Sequence, residues 1–557
     1  MIKLKGILRK KFIKEPVSYP HFLIKEPKII FPLPYSKPGP NVDIKYPLLE
    51  PFVFAHIKWN EKKKSLFYEV IEPKLSDKEK KTLEKIEKIL TETIDVKMSD
   101  LKNKDEAISY IEKKFRKVLE ENDIKLSPEE YLKIMYYIYR DFIGLNEIEP
   151  LMHDPYIEDI GCSGIGTPIY VVHRRFGSME TNIVYNDFDY LNNFVIKLSE
   201  RCGRYISYAT PLLDGTLPDG SRVQASMAKD VTTKGPTFSI RKFRRNPFSP
   251  IDIINLKTAS TDLMAYMWFL IEHDSSMLIC GGVATGKTTF LNSLSMFIPP
   301  EDKVISIEDT REINIPHENW IPAVTRTGFG MPEGGKRYGE INLFDLLKES
   351  FRMKPDYVIV GEVRGKEAYV MFQGIASGHP SLGTIHAGSV EDVIKRLSTP
   401  PIELSPSLIE ALDIIVIMTK AREKGESARR VKGVYEIQNV DVETKKARTI
   451  KTFEWIPSTD TFKNNLAQSQ ILRKISFETG IPYNKILEEL KDREMVLKWM
   501  IKYSVTHFED VYKFINMYYR EKEKLMKWIK NDVPPTQLQV KAVMQELESA
   551  TGLKMLK

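Results

Sequence analysis

One nine-residue stretch, GGVATGKTT at residues 281–289, constrains the fold of this chain more than any other feature. It has the spacing G-x-x-x-x-G-K-[ST]. The apolar run MLIC leads into it, and FLNSLSMF follows at helical spacing. A buried strand that turns through glycine into a helix start presents backbone N–H groups to an anion, and the helix dipole favours negative charge there. Gly281, Gly282, Val283, Ala284, Thr285, Gly286, Lys287, Thr288 and Thr289 are therefore the candidate phosphate-binding residues. Lys287 can reach β- and γ-phosphate oxygens, and Thr288 can ligate Mg2+. A glycine-rich turn with no ligand is the alternative, and the strand and helix on either side argue against it.

The loop requires a sheet around it. Downstream of about residue 258, apolar runs alternate with helical spacing: SSMLICG, KVISIED, DYVIVGE, SLGTIH and DIIVIMTK. Unbroken apolar strands of this kind, separated by helices, predict a buried parallel sheet. Ligands of such sheets sit at the carboxyl ends of the strands.

Three of these strand ends carry chemistry. DYVIVGE ends in Glu362, with Gly361 where an aspartate commonly stands and Asp356 less well placed at the strand's beginning. Phosphoryl transfer to water needs a carboxylate near Mg2+ or near the attacking water. Glu362 takes that role and joins Thr288 as a candidate metal ligand. KVISIED runs into EDTRE, which supplies Glu308, Asp309 and Glu312. An N-cap cluster would also explain Asp309, but three carboxylates at one strand end favour water activation. SGHPSLGTIHAGS holds His379 and His386, two of only nine histidines. A zinc pair needs further N, S or O ligands, and no cysteine lies near. His386 follows the strand at the ligand edge, where an imidazole N–H can sense a γ-phosphate. His379 precedes the strand and suits bracing the loop or a neighbouring subunit; the alternative, a satisfied core histidine, weighs less than these roles, and less for His386 than for His379.

The rest of the chain sets the domain plan. Its 557 residues exceed one core. With 42% hydrophobic and 29% charged residues the composition is globular, and a net charge of +7 is too small to indicate a nucleic-acid binder. Three scattered cysteines, Cys162, Cys202 and Cys280, offer no disulfide framework and suit a reducing cytoplasm. No apolar run is long enough to cross a bilayer; LMAYMWFLI, residues 263–271, reads as a core helix. The start MIKLKGILRKKFIK is basic with Ile, Leu and Phe between, which fits either a solvated tail or an amphipathic contact with an acidic membrane surface or a partner.

Composition predicts an arm plus helical region over 1–147, opened by short strands in PFVFAHIKW and KKSLFYEVI and by a capping box at Ser76. A smaller α/β domain follows over 148–245, a proline-marked linker over 246–257, the phosphate-loop domain over 258–450 and a helical region over 451–557.

Taken together and in order, GGVATGKTT, ISIEDTREINIP, PDYVIVGEVRG and SGHPSLGTIHAGS resemble the Walker A, Asp, Walker B and His boxes of the secretion/type IV pilus assembly ATPase superfamily. LMHDPYIEDIGCSGIGTPIYVVHRRFG and LPDGSRV with FSIRKF resemble its amino-terminal, PAS-like α/β domain. YPLLEPFVFAHI and YEVIEPKLSDKEK are similar to the archaeal branch, which holds the archaellum motor and archaeal pilus ATPases. The resemblance covers roughly residues 46–450, and the absence of a four-cysteine metal module sets the chain apart from many bacterial export ATPases. Gly365 stands where many relatives have aspartate.

The resemblance implies a RecA-like ATPase domain that binds ATP and Mg2+ within a homo-hexameric ring. It implies γ-phosphate arginines at Arg222 and Arg241, Glu312 as the base supported by Glu308 and Asp309, and Glu362 as the Walker B carboxylate. The expected setting is the cytoplasmic, inner face of the cell membrane, against a polytopic platform protein of a filament machine. Archaellum assembly or rotation is the leading expectation, with an archaeal adhesion pilus or a type II/IV secretion substrate as the alternative. A RecA-like nucleic-acid translocase would need basic, aromatic-bearing channel loops, which nothing in the sequence declares; no nucleic-acid partner is expected. An inactive nucleotide-binding scaffold would lack Lys287 or the carboxylates, and all are present.

Overall fold

Near the amino terminus, DIKYPLL, VFAHIKWN and SLFYEVI alternate buried with more exposed residues, the period of a strand with one covered face. They form β1 (Asp43–Leu49), β2 (Val53–Asn60) and β3 (Ser65–Ile71). The structure is a computed structural model that describes residues 19–27, 39–95, 104–244, 246–326, 328–333, 336–423 and 426–536. The basic start, residues 1–14, lies outside the described residues. The chain divides into two units, Met1–Phe243 and Arg244–Lys557.

In the first unit the strands are followed by helices Asp77–Thr93, Lys104–Glu121 and Pro128–Ile138. Ser76 and Ser127 open the first and third with capping boxes, Ser76 as expected. Then come β4 (Ile157–Cys162), β5 (Pro168–His173), β6 (Gly177–Val184), helix Phe188–Arg201, and β7 (Leu212–Thr216), β8 (Arg222–Ser226) and β9 (Thr237–Arg241). All nine strands share one sheet in the order β1-β2-β3-β6-β5-β4-β9-β8-β7.

No boundary at 147/148 is visible in this unit, because β3 pairs in parallel with β6 through Phe67↔Glu180 and Tyr68↔Thr181. The Asn182 side chain extends that seam by bonding both the N–H and the C=O of Val70, at 2.8 and 3.0 Å. Asp154 ties the same halves together: it is fully buried and accepts hydrogen bonds of 2.6 Å from Tyr46 and Tyr68. A buried carboxylate is tolerated only when its lone pairs are filled in this way.

The second unit contains the strands β10 (Met277–Gly281), β11 (Val304–Glu308), β12 (Trp320–Val324), β13 (Phe329–Glu333), β14 (Lys336–Tyr338), β15 (Tyr357–Val360), β16 (Ser381–Ile385), β17 (Ile414–Glu423), β18 (Glu426–Val440), β19 (Ala447–Ile456) and β20 (Thr461–Asn464). The main sheet runs β12-β11-β15-β16-β10-β17-β18-β19-β20, and β13–β14 is a separate hairpin. It is parallel from β12 to β17, as the apolar runs predict, and antiparallel from β17 onward. Every residue of β10, β11, β15 and β16 is buried.

Two expected boundaries change here. Residues 246–257 are not a linker: Ser249 and Asp252 make a capping box, and Pro250 opens the helix Pro250–Asn255. Proline at the first helical position fits because its missing N–H would have had no partner there. Ile251 and Ile253 of that helix enter the core. The expected start of a separate region at 451 falls inside β19. Helices Ile471–Thr479, Tyr483–Lys502 and Phe508–Lys530 then join the core of this unit.

What they cover is the helix Thr261–Glu272, buried at every position from Leu263 to Ile271, as a helix apolar on all sides must be. Trp268 stacks on Phe297 at 5.1 Å and donates its indole N–H to Tyr519 at 2.9 Å. Arg493, buried among Phe269 and Tyr518, pairs with Glu272 and with Glu489. Among the described residues no helix is long and apolar enough to cross a membrane.

Candidate active site

The strand β10 ends at Gly281, where the space beside the backbone is already filled. A Cβ there would stand 2.5 Å from Thr285 Oγ1 and 2.8 Å from the Met418 carbonyl oxygen. Thr285 closes the loop by donating to the Gly282 carbonyl at 2.9 Å. Gly286 takes φ +89° and caps the helix Lys287–Ser295, a left-handed conformation that costs glycine least. Thr288 and Thr289 follow in its first turn, whose N–H groups have no partner within the helix.

Lys287 is buried, 8% exposed. Its Nζ donates to the Gly282 carbonyl at 3.2 Å and lies 3.3 Å from His386 Nδ1. Burial pushes its pKa down, while the charges of Glu362 and Glu312 oppose that shift. Among the described residues no carboxylate lies within ion-pair distance of the ammonium, and the charges of Glu362 and Glu312 act on it from farther away.

Opposite the loop, β15 delivers Glu362. Its Oε1 lies 3.1 Å from His386 Nε2, and its Oε2 accepts a 2.6 Å hydrogen bond from Arg364. Arg364 also reaches Asp309, 3.6 Å away. Burial raises the Glu362 pKa, but the Arg364 hydrogen bond and the charges of Arg364, His386 and Lys287 outweigh it and hold the carboxyl below its usual range. His386 is pushed down by burial first and by Lys287 second, which keeps the imidazole neutral near pH 7. Lys287, His386, Glu362, Arg364 and Asp309 thus form one connected chain of polar contacts at the carboxyl edge of the sheet.

Glu308 ends β11 next to Gly361. It is 3% exposed and accepts the N–H groups of Glu312 and Ile313 at 2.9 and 3.0 Å through Oε1, while Oε2 has no partner. Burial raises its pKa to about 7 despite those two hydrogen bonds. It shapes the turn that carries Glu312, whose exposed side chain lies close enough to Lys287 to support the lysine charge.

The other expected site residues, His379, Arg222 and Arg241, have local partners of their own. His379 precedes β16 while His386 follows it, so at about 3.3 Å per residue the strand places them at opposite edges of the sheet. The His379 ring packs edge-on against Phe351 at 5.2 Å. Arg222 and Arg241 belong to the first unit, where they are cross-strand partners on β8 and β9. Arg222 is half-buried and Arg241 exposed, and both are paired locally, Arg222 with Asp214 at 3.1 Å and Arg241 with Asp159 at 3.3 Å.

Arg364 is a member of the cluster that the sequence reading did not identify. Its position two residues after Glu362 in an extended segment is the signal that could have found it. Beside it, Glu367 accepts both the Arg364 and Gly365 N–H groups at 2.6 Å, and a Cβ on Gly365 would stand 3.2 Å from Glu367 Oε2.

For Mg2+, Thr288 and Glu362 are donors of the right chemistry: such an ion takes one hydroxyl and one carboxylate together with phosphate oxygens and water. Among the described residues no group of three or more His, Cys, Asp or Glu is arranged as a metal cage.

Comparison with known proteins places these features. Residues 172–453 match the family described as "Type II/IV secretion system protein". An uncharacterized protein of Methanocaldococcus jannaschii is 35% identical over 511 residues, covering 89% of this chain and 90% of its own length. The type IV secretion system protein PtlH of Bordetella pertussis is 30% identical over 275 residues, 43% of this chain and 79% of PtlH. Among solved structures, the Legionella pneumophila ATPase DotB aligns at 15% identity with a TM-score of 0.37, over 68% of this chain and 95% of DotB. The family match spans β10 to β18 and every box of the candidate site: this chain belongs to the type II/IV secretion system protein family.

Proposed function

We propose that the chain is an ATP-hydrolysing motor. The observation that carries this reading is the contact chain Lys287–His386–Glu362 across the mouth of the phosphate loop, 3.3 Å and 3.1 Å long. The loop N–H groups and Lys287 bind the phosphates, and Lys287 neutralises charge that develops on the β- and γ-oxygens. Glu312, exposed and near Lys287, accepts the proton of the attacking water. Glu308 holds the Glu312 backbone, and Asp309 holds Arg364. Bound Mg2+, held by Thr288 and Glu362, would supply further charge neutralisation between the phosphates. His386 touches both Lys287 and Glu362, so it is placed to report whether a γ-phosphate lies between them. Arg222 and Arg241 are assigned the γ-phosphate in a homo-hexamer, by family resemblance.

The driven process is assembly of an archaeal type IV pilus-like filament, foremost archaellum assembly or rotation. The motor would work at the inner face of the membrane against a polytopic platform protein. Support comes from the family membership, the similarity to an archaeal relative along nearly its whole length and the similarity to a type IV secretion protein. An adhesion pilus or a secretion substrate is the second reading, supported by PtlH. A strain lacking the gene separates them. Loss of swimming with adhesion intact supports the archaellum; loss of adhesion or of export with swimming intact overturns it.

A further inference from the structure

The phosphate loop has two flanks, and the proposed catalytic groups occupy only one. In the sheet order β15-β16-β10-β17-β18, Glu362 and His386 follow β15 and β16 on one side of β10. On the other side the antiparallel pair β17–β18 presses on the loop. Met418 of β17 supplies the carbonyl that a Cβ on Gly281 would strike. Arg429 of β18 supplies the Cγ that would stand 3.6 Å from a Cβ on Gly286.

We infer that Arg429 is a further nucleotide-contacting residue, bound to the α-phosphate end of the ligand. The inference rests on the loop being a nucleotide site. If the terminal phosphate lies toward Glu362 and His386, then the α-phosphate and nucleoside extend toward β17–β18. The Arg429 Cγ stands beside Gly286, which caps the helix Lys287–Ser295, so the loop lies within reach of a guanidinium carried on that stem. A guanidinium matches phosphate oxygens in geometry as well as charge.

The neighbouring residue explains why Arg429 stands where it does. Arg430 is 1% exposed and forks onto Asp460 at 2.8 and 2.9 Å, and it donates to the Leu256 carbonyl at 3.1 Å. It also donates to the carbonyl of Arg429 itself at 2.9 Å. The Arg430 hydrogen bond holds the Asp460 carboxyl at about 2. The Val431 N–H bonds the Thr258 carbonyl at 2.8 Å. Side chains alternate along a strand, so the buried anchor at 430 directs 429 to the exposed face. A bulge lies directly beyond, where the register with β17 shifts between Ile417 and Met418; bulges commonly re-aim side chains beside active sites. Arg430 is a positioning residue, and Arg429 makes the contact.

The test is titration of full-length protein with ADP and with a non-hydrolysable ATP analogue, alongside steady-state kinetics. The proteins compared are wild type, Arg429→Ala, Arg429→Lys and Lys287→Ala. Arg429→Ala is expected to weaken both nucleotides equally, by roughly tenfold, with the loss falling on KM rather than kcat. Arg429→Lys recovers part of the affinity, which a merely structural role would not produce. If Arg429→Ala binds ADP like wild type while Lys287→Ala does not, the Arg429 inference is overturned and the nucleotide site stands. If wild type binds neither nucleotide, both fall.

Discussion

The side chain of Glu308 occupies the space that a Cβ on Gly361 would need: built there, that atom would stand 2.9 Å from Glu308 Cγ. The two residues end adjacent parallel strands, one step beyond the pair Ile307↔Val360. The glycine at the end of β15 is therefore a consequence of packing, because the neighbouring strand supplies a carboxyl side chain over it. Gly361→Ala is expected to displace Glu308, to release the Glu312 and Ile313 N–H groups and to cost about 1–3 kcal/mol of stability together with most turnover. Urea denaturation and phosphate-release assays check this. Adding Glu308→Ala removes the clash, so the double variant is expected to be more stable than the sum of the single losses implies.

The Glu308 carboxyl makes stability depend on pH in a defined direction. Its folded pKa, near 7, lies above its unfolded value, so the folded state holds the proton more tightly. That contribution is fully present below about pH 4.3 and is lost as pH rises through 7. Glu308→Gln is expected to flatten the fall in stability across that window, by an amount on the order of 2–3 kcal/mol. Denaturation midpoints at pH 5 and pH 8 give the comparison, and equal slopes for variant and wild type would contradict it.

Arg364 acts on the site through Glu362. Burial alone would raise the Glu362 carboxyl, and the Arg364 hydrogen bond is the first of the groups that bring it down. Arg364→Ala is thus expected to raise the Glu362 pKa and move the acid limb of the kcat profile to higher pH. A profile that keeps its acid limb while falling uniformly would assign Arg364 a different role.

Arg493 tests whether the carboxyl-terminal helices belong to the same cooperative unit as the phosphate loop. It is 1% exposed and holds helix Tyr483–Lys502 to Glu272 of the core helix. Removing the guanidinium leaves Glu272 and Glu489, each about a third exposed, without their partner, so Arg493→Ala is expected to cost about 1–3 kcal/mol. A single unfolding transition shifted to lower urea supports one unit. A separate early transition, with nucleotide binding retained, would show that the helices unfold by themselves.

Chemistry made much of the site legible in the sequence. A phosphate loop needs glycine, lysine and a hydroxyl at fixed spacing, and the parallel strands beside it must be apolar on both faces, so Lys287, Glu362 and His386 could be placed from residue order alone. His379 and His386 lie at opposite ends of β16, as their order around SLGTI implies, and the His379 ring packs against Phe351. Arg364 and Arg429 were invisible: a single exposed arginine leaves no periodic signal, and its meaning comes from what stands across from it. The joining of β3 to β6 was equally hidden, since two short alternating strands do not announce a partner more than a hundred residues away. Pro250 looked like a linker because proline opens helices as readily as it interrupts chains.

Whether this chain hydrolyses ATP is decided by steady-state phosphate release from purified full-length protein with Mg-ATP, with Lys287→Ala and Glu312→Gln measured beside wild type. The expected result is turnover by wild type and a loss of at least a hundredfold, roughly 3 kcal/mol of barrier, in each variant. Wild-type protein that releases no phosphate, or a Lys287→Ala variant that turns over normally, would contradict it.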